Sequence, residues 1–483
     1  MMDLLNLQPA TAEIFLALAS LGLVLVSAFV APQEKASKLV RRLTLISFAI
    51  AIFLTIYNGS TPAYAFNGQF FTSSFMVYMK VIILLGAMGI LLMAKRELKQ
   101  DQIDRPELPL LMLLSVVGMM LMVSANDIIV LYMGLELQSL PLYVIAAIRR
   151  ESLRSSEAGL KYFLLGALSS GLLLYGASLL YGFTGHTSYD GIKIALENDV
   201  SPGAVIGMVF LISGLAFKIS AAPFHMWTPD VYEGSPTIVT AFFAVVPKLA
   251  AMTLFLRFTY GVLADASDSW QQIVMIIAVL SMLIGAGGAI MQTDIKRLMA
   301  YSSIAHMGYA LVGVAAASDL GIGAVMLYMT IYVISSIGVF AIILSLKQEG
   351  RPLTRIEDLA GFSKTHPVYA LAMMVLMFSM AGIPPMGGFF GKWYVFSAAI
   401  ASGHVMLAII GVLASVIGAF YYIRIIKVMY VDDQVISIDS HIPRSNTMIA
   451  LGAAVVMAVF LFGLGILREQ ITAAVPFVVF VAG

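Results

Sequence analysis

There is no cysteine in this chain of 483 residues. That removes thiol redox chemistry, cysteine-held iron–sulfur clusters and cysteine zinc sites from the polypeptide itself. Charge is scarce as well: Asp, Glu, Lys and Arg make up 11% of the residues, against about 25% in a soluble domain. The net charge is only +1, which gives no ground for a polyanion or nucleic-acid role. The longest hydrophilic connections reach roughly 20 residues, too short to fold as a separate soluble domain. The opening segment, MMDLLNLQPATAEIFLALAS, has no basic lead and no cleavage-site pattern, so it is expected to be retained rather than removed as a signal peptide. No dinucleotide fingerprint or phosphate-binding glycine loop is present, and Gly285–Gly288 (GAGG) reads as close helix packing.

What remains is apolar, 60% of the chain, and falls into runs long enough to cross a bilayer, about 20 residues each. Inside lipid every backbone polar group must be satisfied within the segment, so the runs are helices. The expected fold class is an all-α polytopic membrane protein with fourteen transmembrane helices in a single membrane domain, 1–483. Helices 1–3 occupy 1–108, spans 4–8 occupy 109–258, spans 9–13 occupy 271–430, and helix 14 lies at 446–467.

The few charges have an uneven distribution. Lys35, Lys38, Arg41 and Arg42, then Lys95, Arg96, Lys99 and Arg105, then Arg149, Arg150 and Arg154 fall in alternate connections. So do Lys296 and Arg297, then Lys347, Arg351, Arg355 and Lys364, then Arg424, Lys427 and Arg444. The opposite side holds only Lys193, Arg257 and Arg468. The positive-inside rule then places the basic loops in the cytoplasm and both termini outside. Lys80 and Lys161 sit near helix ends, where they are expected to snorkel to the interface.

Two spans are too long and are interrupted. Span 7, at about 203–231, carries Lys218, Pro223, His225 and Pro229; span 12, at about 367–400, carries Gly382, Pro384, Pro385, Gly387, Gly388 and Lys392. Both read as broken helices. They lie five spans apart, an odd number, so the second copy of a five-helix repeat (spans 4–8 and 9–13) would be inverted in the membrane. Broken helices at matching positions of inverted repeats point to a transport site.

The ionisable residues inside the spans are functional candidates because burying them is expensive. Glu136 lies midway along Ile128–Ile148, and Lys218 stands at the first break. Taking a lysine out of water favours its neutral form, whereas a nearby carboxylate favours the charged one. Relative movement of such a pair therefore loads and unloads a proton. Lys248 follows the helix-kinking Pro247, and Lys392 suits an exit position. His306, with Ser302, Ser303 and Tyr309 on its helix face, and His225 are candidates for bridging the lysines through water. Plainer readings stand beside these. Glu136 can be a structural ion pair, Lys218 a cap for broken carbonyls, Lys392 an interface anchor beside Trp393 and Tyr394, and either histidine a satisfied core group.

Three separated stretches, GLAFKISAAPFHMWTPDVYEGSPT, DIKRLMAYSSIAHMGY and AGIPPMGGFFGKWYVF, resemble the antiporter-like membrane subunits of respiratory complex I, and the likeness covers nearly the whole chain. It implies two half-channels joined by a central hydrophilic axis. It also implies that Glu136 is the glutamate of span 5, Lys218 the lysine of span 7, Lys248 that of span 8, His306 a central-axis residue and Lys392 the lysine of span 12. Fourteen spans, no long lateral C-terminal helix and lysine at 392 narrow the likeness to one of the family's three large member types. The family further implies no cofactor in this chain, with NAD, FMN, iron–sulfur clusters and quinone in partner subunits. Its partners would be other antiporter-like membrane subunits, a peripheral NADH-oxidising arm and the lipid bilayer. The implied location is the bacterial plasma membrane, with the mitochondrial inner membrane as the alternative. The same lysines would serve a multi-subunit cation/proton antiporter without redox partners, and a scaffold whose buried charges only pack helices is the third reading.

Overall fold

A computed structural model describes residues 6–59, 61–100, 103–434, 436–439 and 442–478. The ends of the expected domain, 1–5 and 479–483, lie outside the described residues, as do the side chains of Lys95, Arg96 and Lys99. The described residues are predominantly helical. In order the helices are α1 (Thr11–Phe29), α2 (Gln33–Asn58), α3 (Ser74–Gln100), α4 (Glu107–Ser124), α5 (Ile128–Ala146), α6 (Leu153–Thr184) and α7 (Tyr189–Asn198). Then come α8 (Pro202–Lys218), α9 (Trp227–Gly234), α10 (Thr237–Arg257), α11 (Ser267–Ile290), α12 (Ile295–Ala315) and α13 (Asp319–Ser345). The last are α14 (Phe362–Thr365), α15 (Pro367–Ala381), α16 (Gly387–Ala401), α17 (Val405–Tyr430), α18 (Arg444–Ala458) and α19 (Phe460–Ala474). The strands among the described residues form two small antiparallel hairpins, Ala63–Ala65 with Phe70–Thr72 and Lys347–Gln348 with Arg351–Pro352.

Among the described residues, 12 helical segments are long and apolar enough to cross a membrane. Two shorter apolar helices, α8 and α15, are the first halves of the two interrupted segments, continued by α9 and α16. The C-terminal segment is built from α18 and α19, with a bend at Val459 (φ −99°, ψ 12°). Many helices begin at the polar residue the sequence supplies. Asp127, Ser152, Ser201, Asp294 and Ser318 each accept a hydrogen bond from a first-turn amide of α5, α6, α8, α12 and α13.

The centre of the molecule is α10, whose every residue is buried. A helix apolar on all sides is one surrounded by protein, and α10 packs against α3, α4, α8, α12 and α13. Glycines set the closest approaches. A Cβ at Gly118 would lie 2.3 Å from the amide nitrogen of Gln138, and one at Gly285 2.5 Å from that of Ala305. The first locks α4 onto α5; the second, with Gly288 against the Tyr301 ring, locks α11 onto α12.

Lys80 does not snorkel to an interface. It is fully enclosed and ion-paired with the buried Glu13 of α1, and the Phe70 ring centre lies 4.9 Å from its Nζ. The carboxylate partner is what makes burial of the amine tolerable. Lys161, by contrast, is 42% exposed.

Candidate functional site

The first break forms where α8 ends at Lys218 and the irregular stretch 219–226 begins. Ser220 there adopts a left-handed φ of 62°, and the Ala222–Pro223 bond is cis. Helix ends leave carbonyls and amides without intrahelical partners, and here protein groups satisfy several of them. The indole nitrogen of Trp227 donates to the Phe217 carbonyl at 3.2 Å, and the Ala222 amide donates to the Ser281 hydroxyl at 2.8 Å. Lys218 therefore is not the cap of the break. Its Nζ points across to α5, donating to Ser139 Oγ at 2.7 Å and reaching the Tyr143 hydroxyl at 3.5 Å.

Glu136 lies one turn before Ser139 on the same helix and is half-buried, with Oε1 enclosed and without a hydrogen-bond partner among the described residues. It acts on Lys218 electrostatically rather than through a direct ion pair. Glu136, Ser139 and Tyr143 thus share one helix face, a spacing that the i, i+3, i+7 rule could have flagged.

Lys248 of α10 is 1% exposed. Its Nζ donates to Ser303 Oγ of α12 at 2.5 Å and lies 5.3 Å from the centre of the Tyr232 ring. One turn along α12, His306 is held at both ring nitrogens: Nδ1 is 2.6 Å from the Tyr328 hydroxyl and Nε2 is 2.9 Å from the Tyr422 hydroxyl. Tyr422 is itself 2.6 Å from Ser302 Oγ. The imidazole stands within electrostatic reach of both Lys248 and Lys392.

The second break runs from Gly382 to Met386, and its Pro384–Pro385 bond is cis. Lys392, in the second turn of α16, turns back to this break. Its Nζ donates to the Ala381 carbonyl at 2.8 Å and to Ser415 Oγ at 2.7 Å, and it lies 4.7 Å from the centre of the Tyr309 ring. Lys392 is buried and turned to the break, whereas Trp393 beside it is exposed, so the two do not face the same surface. A small cavity lined by His306, Tyr328, Tyr332, Ser335, Ser379 and Gly388 joins the imidazole to this break. His225 is half-buried in the first break, its Nδ1 enclosed and without a hydrogen-bond partner, and no contact in the described residues joins it to the other candidates.

The structure thus gathers Lys248, His306 and Lys392 around α12 and sets Lys218 with Glu136 against α5. None of the three lysines forms an ion pair among the described residues; each is held by a hydroxyl. Those hydroxyls and rings (Ser139, Tyr143, Tyr232, Tyr328, Ser415 and Tyr422) were not visible as partners in the sequence, because uncharged polar residues are common in helix contacts and most come from other helices. Trp227 escaped for the same reason.

The sequence pattern of a family described as NADH:quinone oxidoreductase/Mrp antiporter, transmembrane, matches residues 125–418, a range that contains Glu136, Lys218, Lys248, His306 and Lys392 but not Glu13 or Lys80. The chain is 52% identical over 474 residues to NADH-quinone oxidoreductase subunit N of Rhodospirillum rubrum, covering 97% of each. A chain of respiratory complex I from Thermus thermophilus superposes with a TM-score of 0.83 at 29% identity, covering 96% of this chain and 100% of that one. A chain of the Mrp complex from Dietzia shares the fold, with a TM-score of 0.85 at 22% identity over 97% of both.

Proposed function

Because this chain belongs to the NADH:quinone oxidoreductase/Mrp antiporter membrane family, and its near relatives are subunits N of that oxidoreductase, we propose that it moves protons by the row of buried amines just described. It is an antiporter-like, proton-translocating membrane subunit of a bacterial NADH:quinone oxidoreductase. The observation that carries the mechanism is that Lys218, Lys248 and Lys392 lie within the apolar segments with hydroxyl partners and no ion pair among the described residues. An amine so held can gain and lose a proton without breaking a salt bridge.

In this reading a change in the position or charge of Glu136 alters the proton affinity of Lys218. A proton passes by Lys248 and His306 to Lys392, which releases it on the far side. The small cavity beside His306 has a buried, unpartnered Ser335 hydroxyl in its lining. His225 is at most an auxiliary relay. Each charge moved against the membrane potential costs about 2.3 kcal/mol per 100 mV, so the drive comes from electron transfer between NADH and quinone in partner subunits. Those partners, the NADH-oxidising arm with FMN and clusters and the neighbouring antiporter-like subunits, hold the cofactors that this cysteine-free chain does not bind.

The two interrupted segments complete two more crossings, which raises the count to fourteen. The segments α4, α5, α6, α8–α9 and α10 form one repeat, and α11, α12, α13, α15–α16 and α17 its inverted copy. The glycine contacts support this pairing: Gly118 seats α4 on α5 as Gly285 seats α11 on α12. Basic loops then face the cytoplasm and both termini the outside.

Purification of the tagged chain tests the assignment. The expected preparation contains flavin and iron–sulfur subunits and couples NADH oxidation to proton movement. A preparation that exchanges cations for protons with no NADH oxidation would favour the antiporter instead. Within the relay, Tyr422→Phe removes the hydroxyl shared by Ser302 and His306. It is expected to slow proton uptake several-fold in an assembled complex, read as the ratio of protons taken up to NADH oxidised.

A further inference from the structure

Between α6, α9 and the start of α12 lies a cleft of about 190 Å³, lined by Arg154, Glu157, Lys161, Asp230, Glu233 and Arg297. Asp230 bridges its walls: Lys161 of α6 lies 2.7 Å away and Arg297 of α12 also 2.7 Å. Glu157 and Glu233 complete the network, 2.8 Å from Lys161 and 2.9 Å from Arg297. These side chains are between 30% and 56% exposed, so the network stands in water. Ion pairs this wet add little stability, which leaves the alignment of α9 as their evident effect.

α9 is eight residues long, with irregular chain before it and Ser235–Pro236 after it, and its contacts reach both buried lysines of the first repeat. Trp227 caps the Phe217 carbonyl next to Lys218 and stacks on Tyr162, ring centres 4.3 Å apart. Tyr162 in turn meets Tyr143 edge-on at 4.8 Å, and Tyr143 is the phenol that reaches Lys218. On the other flank, Tyr232 carries the ring that faces Lys248. Lys296 holds the far end, donating to the carbonyls of Glu233 at 2.6 Å and Ser235 at 2.9 Å. Gly234 allows the fit, since a Cβ there would lie 2.7 Å from the Arg154 carbonyl oxygen.

We propose that this cleft is the entrance of the proton path on the side of the basic loops, and that Asp230 is the positioning residue that sets α9 across it. The proposal rests on the proton-translocating reading above. In it, the ion pairs to Lys161 and Arg297 fix the angle of α9. That angle decides whether the Tyr162–Trp227 stack separates cleft water from Lys218 or lets it through.

The test uses the assembled complex in inverted membrane vesicles, where NADH-driven proton uptake and quinone reduction are read together, with Lys218→Ala alongside. Asp230→Asn keeps the shape and removes the charge; it is expected to slow proton uptake several-fold. Asp230→Glu restores the charge and is expected to recover most of the rate. Glu157→Cys introduces the one thiol of this chain on the cleft wall. Treating those vesicles with a bulky, membrane-impermeant cationic thiol reagent is expected to cut proton uptake, while vesicles carrying the unaltered chain do not respond. The thiol experiment decides the matter even if Asp230→Asn fails to assemble. Full pumping after the thiol has reacted, or equal impairment by Asp230→Asn and Asp230→Glu, would overturn the entrance while loss of pumping in Lys218→Ala left the main reading intact. Normal pumping by Lys218→Ala would overturn both.

Discussion

Vesicles carrying Lys218→Ala are expected to lose NADH-driven proton uptake, to background, while the complex stays assembled on a native gel and quinone reduction falls alongside. The argument for assembly is structural. Lys218 has no direct ion pair among the described residues, so its removal breaks no salt bridge, a loss that costs about 3–5 kcal/mol when a buried charge is left alone. The charge that does lose its neighbour, Glu136, is only half-buried. Ser139 keeps its own bond, since its hydroxyl donates to the Leu135 carbonyl at 2.7 Å. The carbonyl at the break keeps the Trp227 indole. What Lys218→Ala does lose is stem volume, and Lys218→Met, which keeps most of that volume and removes only the amine, should pump no better while assembling more fully. The argument for lost function is that, among the described residues, no other amine meets Ser139 and Tyr143 beside Glu136. Normal pumping by both assembled variants would make Lys218 a packing residue and end the charge-relay mechanism. Failure of Lys218→Ala to assemble, with Lys218→Met assembled and pumping, would end it equally.

The charged and backbone-breaking residues were readable in the sequence, and most of their partners were not. Lys218, Lys248 and Lys392 stood out because a lysine in an apolar run has no inexpensive solution, and the proline and glycine clusters marked both interruptions. Span lengths followed from bilayer thickness. Several features needed three dimensions. Lys80 looked like a helix-end lysine until Glu13, 67 positions earlier, closed over it. Lys392 looked like an outer residue by its place along the segment. The break, however, folds its side chain back onto the Ala381 carbonyl, which linear position cannot express. The amphipathic α7 and the bend at Val459 were hidden because the surrounding apolarity dominates any window long enough to detect a span. The hydroxyl partners form the largest gap. Serine and tyrosine carry no burial penalty sharp enough to single them out, and only the crossing of α5, α12, α13 and α17 shows which ones meet a lysine or the imidazole.

Gly388→Ala is expected to prevent the second interrupted segment from closing, and with it assembly of the complex. Gly388 sits at the start of α16, where its amide donates to Ser379 Oγ at 3.0 Å. A Cβ there would lie 1.8 Å from the Ser379 carbonyl oxygen and 2.6 Å from its carbonyl carbon. Both are backbone atoms of α15, so no side chain can swing away; the two half-helices must separate. Overpacking typically costs about 1–3 kcal/mol when side chains can shift, and a rigid backbone collision should exceed the upper end of that range. The measurement is the amount of assembled complex on a native gel, with Gly452→Ala as the control, since nothing lies within 4 Å of a Cβ at that position. The control should assemble as well as the unaltered chain, because alanine is favoured over glycine in a helix by about 1 kcal/mol. Gly382→Ala separates structure from function at the same break. Its φ of +86° strains any side chain, and the new Cβ would lie 2.8 Å from Lys392 Cδ, the flexible part of a side chain. That variant should assemble in part yet pump poorly, because the displaced lysine can no longer hold its amine on the Ala381 carbonyl. Wild-type levels of assembled, fully pumping Gly388→Ala would mean that α15 and α16 do not approach as described, and the seat of Lys392 would have to be redrawn with them.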